Sequence, residues 1–185
     1  MIAATFGDAK GAVRDGPVHR TSDNKGIDME LKLNWNYVAD TVMGGVSRGQ
    51  IAVGVIDGRV AARLTGDVSL DNDGGFIQMA SDIGSGGRAF DASAYAGIAI
   101  DLIGNGETYD LRLRTTDLTR PWQSYRVPVT AGPDWTTHRI AFADFEGHRT
   151  VAPFAAAHLR RIGIVAIGRV FHADVAVAGV TLYRA

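Results

Sequence analysis

The chain has no cysteine. That single absence excludes disulfides, thiol nucleophiles, Cys-ligated zinc and iron–sulfur clusters together. Lysine and glutamate are nearly as scarce, at three residues each against 16 arginines and 17 aspartates. Glu and Lys fill exposed helix faces, whereas Asp with Gly makes turns, so this shortage argues against a helical protein. No stretch approaches the roughly 20 apolar residues of a membrane helix, so no integral membrane segment is expected. The stretch 1–30 carries charges throughout and no apolar h-region of a secretory signal, which makes the cytoplasm the expected compartment. A formal net charge of −1, from 19 basic and 20 acidic residues, leaves no electrostatic footprint for nucleic acid.

What is present reads as sheet. Glycine is abundant, at 23 of 185 residues, without the every-third period of collagen. The length suits one domain with a core that needs no metal or disulfide to hold it. Residues 1–28 are polar and without sustained periodicity and read as an arm or irregular segment, with a short edge strand expected near Met1–Phe6. Residues 29–185 then read as a single domain. Met29, Leu31, Leu33 and Trp35 alternate with polar residues, the period of a half-buried strand. QIAVGVI and RVAARLT flank Asp57-Gly58, the strongest short-range hairpin signal. Further strands are expected at 75–80, 97–103, 109–115, 123–129, 136–142, 161–167 and 174–183. Only VAPFAAAHLRR, with Pro153 at a helix start, reads as helical. Nine or ten short strands with almost no helix predict an antiparallel β-sandwich or jelly roll. In YDLRLRT the alternation sends Arg112 and Arg114 to the outer face of their sheet, where a solvated role and a ligand or protein surface are the two readings.

Chemical motifs fail their context tests. Gly45-Val-Ser47-Arg-Gly49 satisfies G-x-S-x-G, but a strand follows it instead of the helix a nucleophile elbow requires. Gly104-Asn-Gly106-Glu-Thr-Tyr109 has tyrosine where a dinucleotide fingerprint needs its third glycine, and it sits between strands. The run from Ser69 to Gly74 lacks both the first ligand and the closing acid of a calcium loop. The five histidines show no i, i+4 pair. The expectation is therefore no catalytic residue, no metal and no cofactor.

One segment concentrates mixed chemistry: Trp35, Tyr37, Asp40, Met43, Gly44, Gly45 and Ser47 all fall in the stretch 35–47. A second glycine pair follows at Asn72-Asp73-Gly74-Gly75-Phe76. Paired glycines mark backbone in conformations closed to other residues, or backbone approached closely. If the two corners meet at one end of the sandwich, they form either a binding site or a set of internal struts, with Trp35 and Met43 plugging the end and Asp40 capping amides. As a site, the expected ligand- or partner-binding residues are Trp35, Tyr37, Asp40, Met43, Gly44, Gly45, Ser47, Asn72, Gly74, Gly75 and Phe76. Gly44 and Gly45 are both expected to be costly to replace, and Gly58 less so.

Through W-N-Y-V-A-D-T-V-M-G-G-V-S at 35–47, N-D-G-G-F at 72–76, the run from Tyr95 to Thr115 and R-I-G-I at 161–164, the sequence resembles the complex I intermediate-associated protein 30 family. The resemblance covers about residues 30–183, with Gly104, Gly106 and Tyr109 matching at the second turn. Thr41 stands where the family commonly shows glycine, and residues 1–28 have no clear counterpart. The resemblance implies a galactose-binding-like β-sandwich. Its mitochondrial members are non-catalytic factors that assist assembly of respiratory NADH:ubiquinone oxidoreductase. The reading that follows is a protein-binding or assembly module. Its alternative is a carbohydrate-binding module using end loops, with Trp35, Tyr37, Trp122 or Trp135 stacking on a sugar ring. A cofactor-independent enzyme comes third.

Overall fold

The computed structural model of the protein describes residues 27–185. The edge strand expected near Met1–Phe6 and most of the polar arm lie outside the described residues. Twelve strands follow in order: β1 (Met29–Glu30), β2 (Asn36–Ala39), β3 (Arg48–Ile56), β4 (Arg59–Val68), β5 (Phe76–Asp82), β6 (Gly97–Gly104), β7 (Thr108–Thr115), β8 (Ser124–Thr130), β9 (Thr136–Ala141), β10 (Glu146–His148), β11 (Leu159–Ile167) and β12 (Phe171–Tyr183). Every pairing among them is antiparallel. One sheet runs β3-β4-β12-β6-β9, with β1 also against β12, and the other runs β10-β8-β7-β11-β5-β2. The fold is the expected all-β sandwich of jelly-roll type.

The period-2 alternation builds the core. Ile98, Ile100 and Leu102 of β6, with Val175, Val177, Val180 and Leu182 of β12, face Leu111 and Leu113 of β7, with Ile162 and Ile164 of β11. Each of these is buried, contributing roughly 1.5–3 kcal/mol by leaving water. Asp57 (φ 47°) and Gly58 (φ 78°) turn the β3–β4 hairpin with both central residues at positive φ, the type I′ geometry that Asp-Gly favours.

Two expected elements differ. The alternating run from Met29 to Trp35 is not one strand. Met29 and Glu30 pair with β12, Leu31 N–H still donates to Val180 O at 2.8 Å, and the chain then crosses to join β5 as β2. The alternation remains because Leu31, Leu33, Trp35 and Tyr37 pack against the core along that crossing. The segment 151–161 is not helical either; it holds a single 3₁₀ turn, Ala156–His158, and enters β11 at Leu159. A two-turn helix has too few bonds to repay its nucleation. Phe154 instead fixes the segment by packing on Tyr125, Phe142 and Phe145, with centroids 5.1, 5.2 and 6.4 Å away.

Tyr109 ties the turn before β7 to β12. Its hydroxyl donates to Asn105 Oδ1 at 2.7 Å and accepts from Asp174 N–H at 2.9 Å. Burial, against the stabilising Asp174 amide, pushes the phenol up to about 12. A raised folded-state pKa favours the fold below the unfolded value of about 10, and that contribution is lost as pH rises toward about 12. Spectrophotometric titration should show one of the five tyrosines ionising last, with the late phase absent in Tyr109→Phe. That variant should lose about 1–2 kcal/mol in urea unfolding.

Candidate functional site

The first glycine corner is a 3₁₀ turn, Asp40–Met43, closed by Gly44 at φ +90°. Asp40 is fully buried at its start. Its Oδ2 accepts from Ser47 Oγ–H at 2.5 Å, Gly75 N–H at 2.6 Å and Phe76 N–H at 3.2 Å, and its Oδ1 accepts from Ser47 N–H at 3.1 Å. Ser47 Oγ in turn accepts from Ser69 N–H at 2.9 Å. One carboxylate thus bolts the corner at 40–47 to the corner at 72–76. Burial alone would raise its pKa, but the bonds from the Ser47 hydroxyl and the Gly75, Phe76 and Ser47 amides outweigh burial and hold it below the usual carboxylate range. The glycines make room for this carboxylate: a Cβ on Gly45 would overlap the Asp40 side chain, and one on Gly74 would sit 2.6 Å from Asp40 Oδ2. Ser47 is not poised as a nucleophile, because its hydroxyl points inward and a strand follows it.

The bolted corners form one lip of a groove of about 450 Å³ that lies across the outer face of the β10-β8-β7-β11-β5-β2 sheet. Val42, Met43, Leu70 and Asp73 stand on this lip, with Gly74, Gly75 and Phe76 below them. The floor is made by outward positions of four strands: Gln78 and Ala80 of β5, Gly163 and Val165 of β11, Arg112 and Arg114 of β7, and Ser124 of β8. Strand register explains the hollow, since Arg112 pairs with Gly163 and Gly163 with Ala80, leaving two small residues beside a long one. The far lip carries Pro121, Trp122, Gln123, His148 and Arg149. Trp122 is 53% exposed, with the Arg120 guanidinium 6.0 Å from its ring. Burial, then Arg112, Arg126 and Arg149, push the pKa of His148 down, which keeps its ring neutral near pH 7.

The sequence-predicted residues divide three ways. Met43, Gly74, Gly75 and Phe76 line the groove. Asp40, Gly45 and Ser47 are buried under its lip, while Gly44 and Asn72 are exposed on the corners. Trp35 and Tyr37 pack against the core, and Met43 is 67% exposed, so Met43 does not plug the sandwich end. Of the other aromatics considered for stacking, Trp135 is half-buried and donates its indole N–H to Ile56 O at 3.2 Å. Sequence reasoning missed Gln78, Ser124, His148, Arg149 and Arg161 because they are far apart in the chain. The available signal was the outward alternation of Arg112 and Arg114.

Among the described residues, no three His, Asp or Glu side chains gather where a metal ion could be held. None of the described helices is long and apolar enough to cross a membrane.

Residues 26–174 match the family described as Complex I intermediate-associated protein 30. The chain belongs to this family. No curated protein matches the chain in sequence. Similar solved structures show how the family fold relates to others. The family 11 carbohydrate-binding module from Clostridium thermocellum, solved with a β-1,3-1,4-mixed-linked tetrasaccharide, superposes with a TM-score of 0.69 at 13% identity, covering 85% of this chain and 96% of that one. The family 30 carbohydrate-binding module of a cellulosomal cellulase from the same organism superposes with a TM-score of 0.65 at 14% identity, covering 85% and 98%. An exo-β-agarase is also similar, with a TM-score of 0.51 at 9% identity, covering 82% of this chain and 24% of that one. At such identities the likeness is one of fold. This member of the Complex I intermediate-associated protein 30 family therefore has a two-sheet antiparallel sandwich that resembles the fold of carbohydrate-binding modules.

Proposed function

We propose that this domain is a non-catalytic carbohydrate-binding domain whose glycan lies in the groove across the β10-β8-β7-β11-β5-β2 sheet. One observation carries the reading: an open groove with an exposed indole on one lip, apolar side chains on the other and hydrogen-bonding groups along its floor. A sugar ring has an apolar face for an aromatic ring and hydroxyls for polar groups, and concave sites combine these two features. Sandwiches of this fold, one of them solved with a tetrasaccharide, support the reading. It departs from the end-loop site expected from sequence, since the corners supply only a lip.

A glycan array followed by titration calorimetry tests it. Trp122→Ala should weaken the best glycan by tenfold or more while the unfolding midpoint stays near wild type, because the ring is half in solvent. Unchanged affinity in that variant would remove the stacking role.

The family's description names association with complex I intermediates, and the exposed Val42, Met43 and Leu70 lip is the feature that suits a protein partner. Under that second reading the glycan array stays blank, and substitutions on the apolar lip, not at Trp122, abolish capture of the partner.

A further inference from the structure

Charge in the groove is one-sided. Arg112, Arg114, Arg149 and Arg161 line it against one acid, Asp73, which stands on the lip. Two of these arginines have partners: Arg112 Nη2 is 2.8 Å from Asp110, and Arg161 Nη1 is 2.9 Å from Asp82. Arg114 and Arg149 have no carboxylate partner among the described residues.

Arg114 is the informative one. It lies directly opposite Arg161 across the β7–β11 pair, an arrangement in which like charges repel. Its guanidinium is held in place by two backbone oxygens, Nε–H donating to Gln123 O at 3.1 Å and Nη2–H to Arg120 O at 3.0 Å. Neither contact neutralises it, and the remaining N–H groups of the fork are left unused. Burial, followed by Arg160 and Arg161, disfavours its charge. The next strand brings a second unmet demand. Tyr125 pairs with Leu113, so Ser124 stands beside Arg114, and on its other side it pairs with His148. Ser124 is 3% exposed and its hydroxyl has no hydrogen-bond partner among the described residues. A buried orphan hydroxyl next to a fixed, unneutralised guanidinium is costly unless an acceptor arrives.

We propose that the groove selects acidic glycans, with the carboxylate of a uronic acid residue seated on Arg114, Arg161 and the Ser124 hydroxyl. This rests on the carbohydrate reading above and specifies its ligand class. Two parallel N–H bonds from a guanidinium fork match the two oxygens of a carboxylate. The backbone of Gln123 and Arg120 holds one edge of the Arg114 guanidinium, leaving its unused N–H groups for the carboxylate, and Trp122 lies between these two residues, so the anchor for the acid and the platform for the ring belong to one loop. Gly163 and Ala80 leave open floor for the rest of the sugar.

The test is calorimetric titration of the full chain with oligogalacturonate tetramers, their methyl-esterified counterparts, a neutral mixed-linkage glucan tetramer, a sulfated galactan tetramer and poly-L-glutamate. The uronate should bind at least tenfold more tightly than its methyl ester and the neutral glucan. Arg114→Gln should cost the uronate tenfold or more and remove most of its preference over the methyl ester. Ser124→Ala, which breaks no bond within the protein, should cost the uronate several-fold. Equal affinity for uronate and methyl ester would overturn the acidic selectivity and leave the carbohydrate reading standing. Tighter binding of the sulfated galactan, or poly-L-glutamate binding as tightly as the uronate, would also overturn it. Silence from every glycan would overturn both readings.

Discussion

Asp40→Asn should lose about 3 kcal/mol or more of folding stability in urea, although the change is almost isosteric. The wild-type carboxylate accepts four hydrogen bonds from Ser47, Gly75 and Phe76 at a side chain sealed from solvent. Hydrogen bonds to a charged acceptor contribute about 1.5–3 kcal/mol each, though bonds sharing one group do not add. An amide keeps one oxygen and turns an NH₂ toward donors that then have no acceptor. The pH dependence carries a second signature. Because the pKa of Asp40 is lowered in the fold, its contribution is fully present above the unfolded value of about 3.9 and disappears as pH falls through the folded value. The wild type should therefore lose stability below about pH 4, and Asp40→Asn should show a shallower acid limb. A variant within about 0.5 kcal/mol of wild type, the range of an ordinary surface substitution, would show that the carboxylate does not join the two corners. Groove binding, measured where the variant is folded, should fall only through displacement of the Met43 and Phe76 lip.

Gly45→Ala should be nearly as damaging, at about 3 kcal/mol, because it overfills a buried space. Gly44→Ala should cost only about 1–2 kcal/mol, and Gly58→Ala about the same. Two different causes operate at the three glycines. Gly44 (φ +90°) and Gly58 (φ +78°) sit in the left-handed region with open space where a Cβ would go, so alanine there meets only backbone strain. Gly45 has no such strain, but its Cβ would occupy the space of the Asp40 carboxylate and force that group off its four donors. Overpacking and a broken buried network then act together. The sequence expectation grouped Gly44 with Gly45 and set Gly58 apart; the structure groups Gly44 with Gly58. Equal unfolding midpoints for all three alanine variants would contradict this.

These two corners show where sequence reasoning works and where it stops. Alternation placed the strands because burial on one face imposes a period of two, and Asp57-Gly58 marked its hairpin because few residues tolerate two successive positive φ values. The helix read at VAPFAAAHLRR failed for a tertiary reason, the packing of Phe154 among Tyr125, Phe142 and Phe145. The W-N-Y-V-A-D motif was legible as unusual, yet its acid faces inward. A local concentration of chemistry does not reveal which way a side chain points. The groove was not legible, because its floor is assembled by register: Arg161 meets Arg114, Gly163 meets Arg112, and His148 meets Ser124 only after β11, β7, β8 and β10 are in place.

The most direct test of a glycan groove on this sheet is a chemical-shift map of the ¹⁵N-labelled chain titrated with an oligogalacturonate tetramer. Perturbed signals are expected at Ala80, Arg114, Gln123, Ser124 and Gly163, together with the Trp122 indole N–H, with a quiet outer face on the β3-β4-β12-β6-β9 sheet. Perturbations confined to that opposite sheet, or to the hairpin around Asp57, would contradict it.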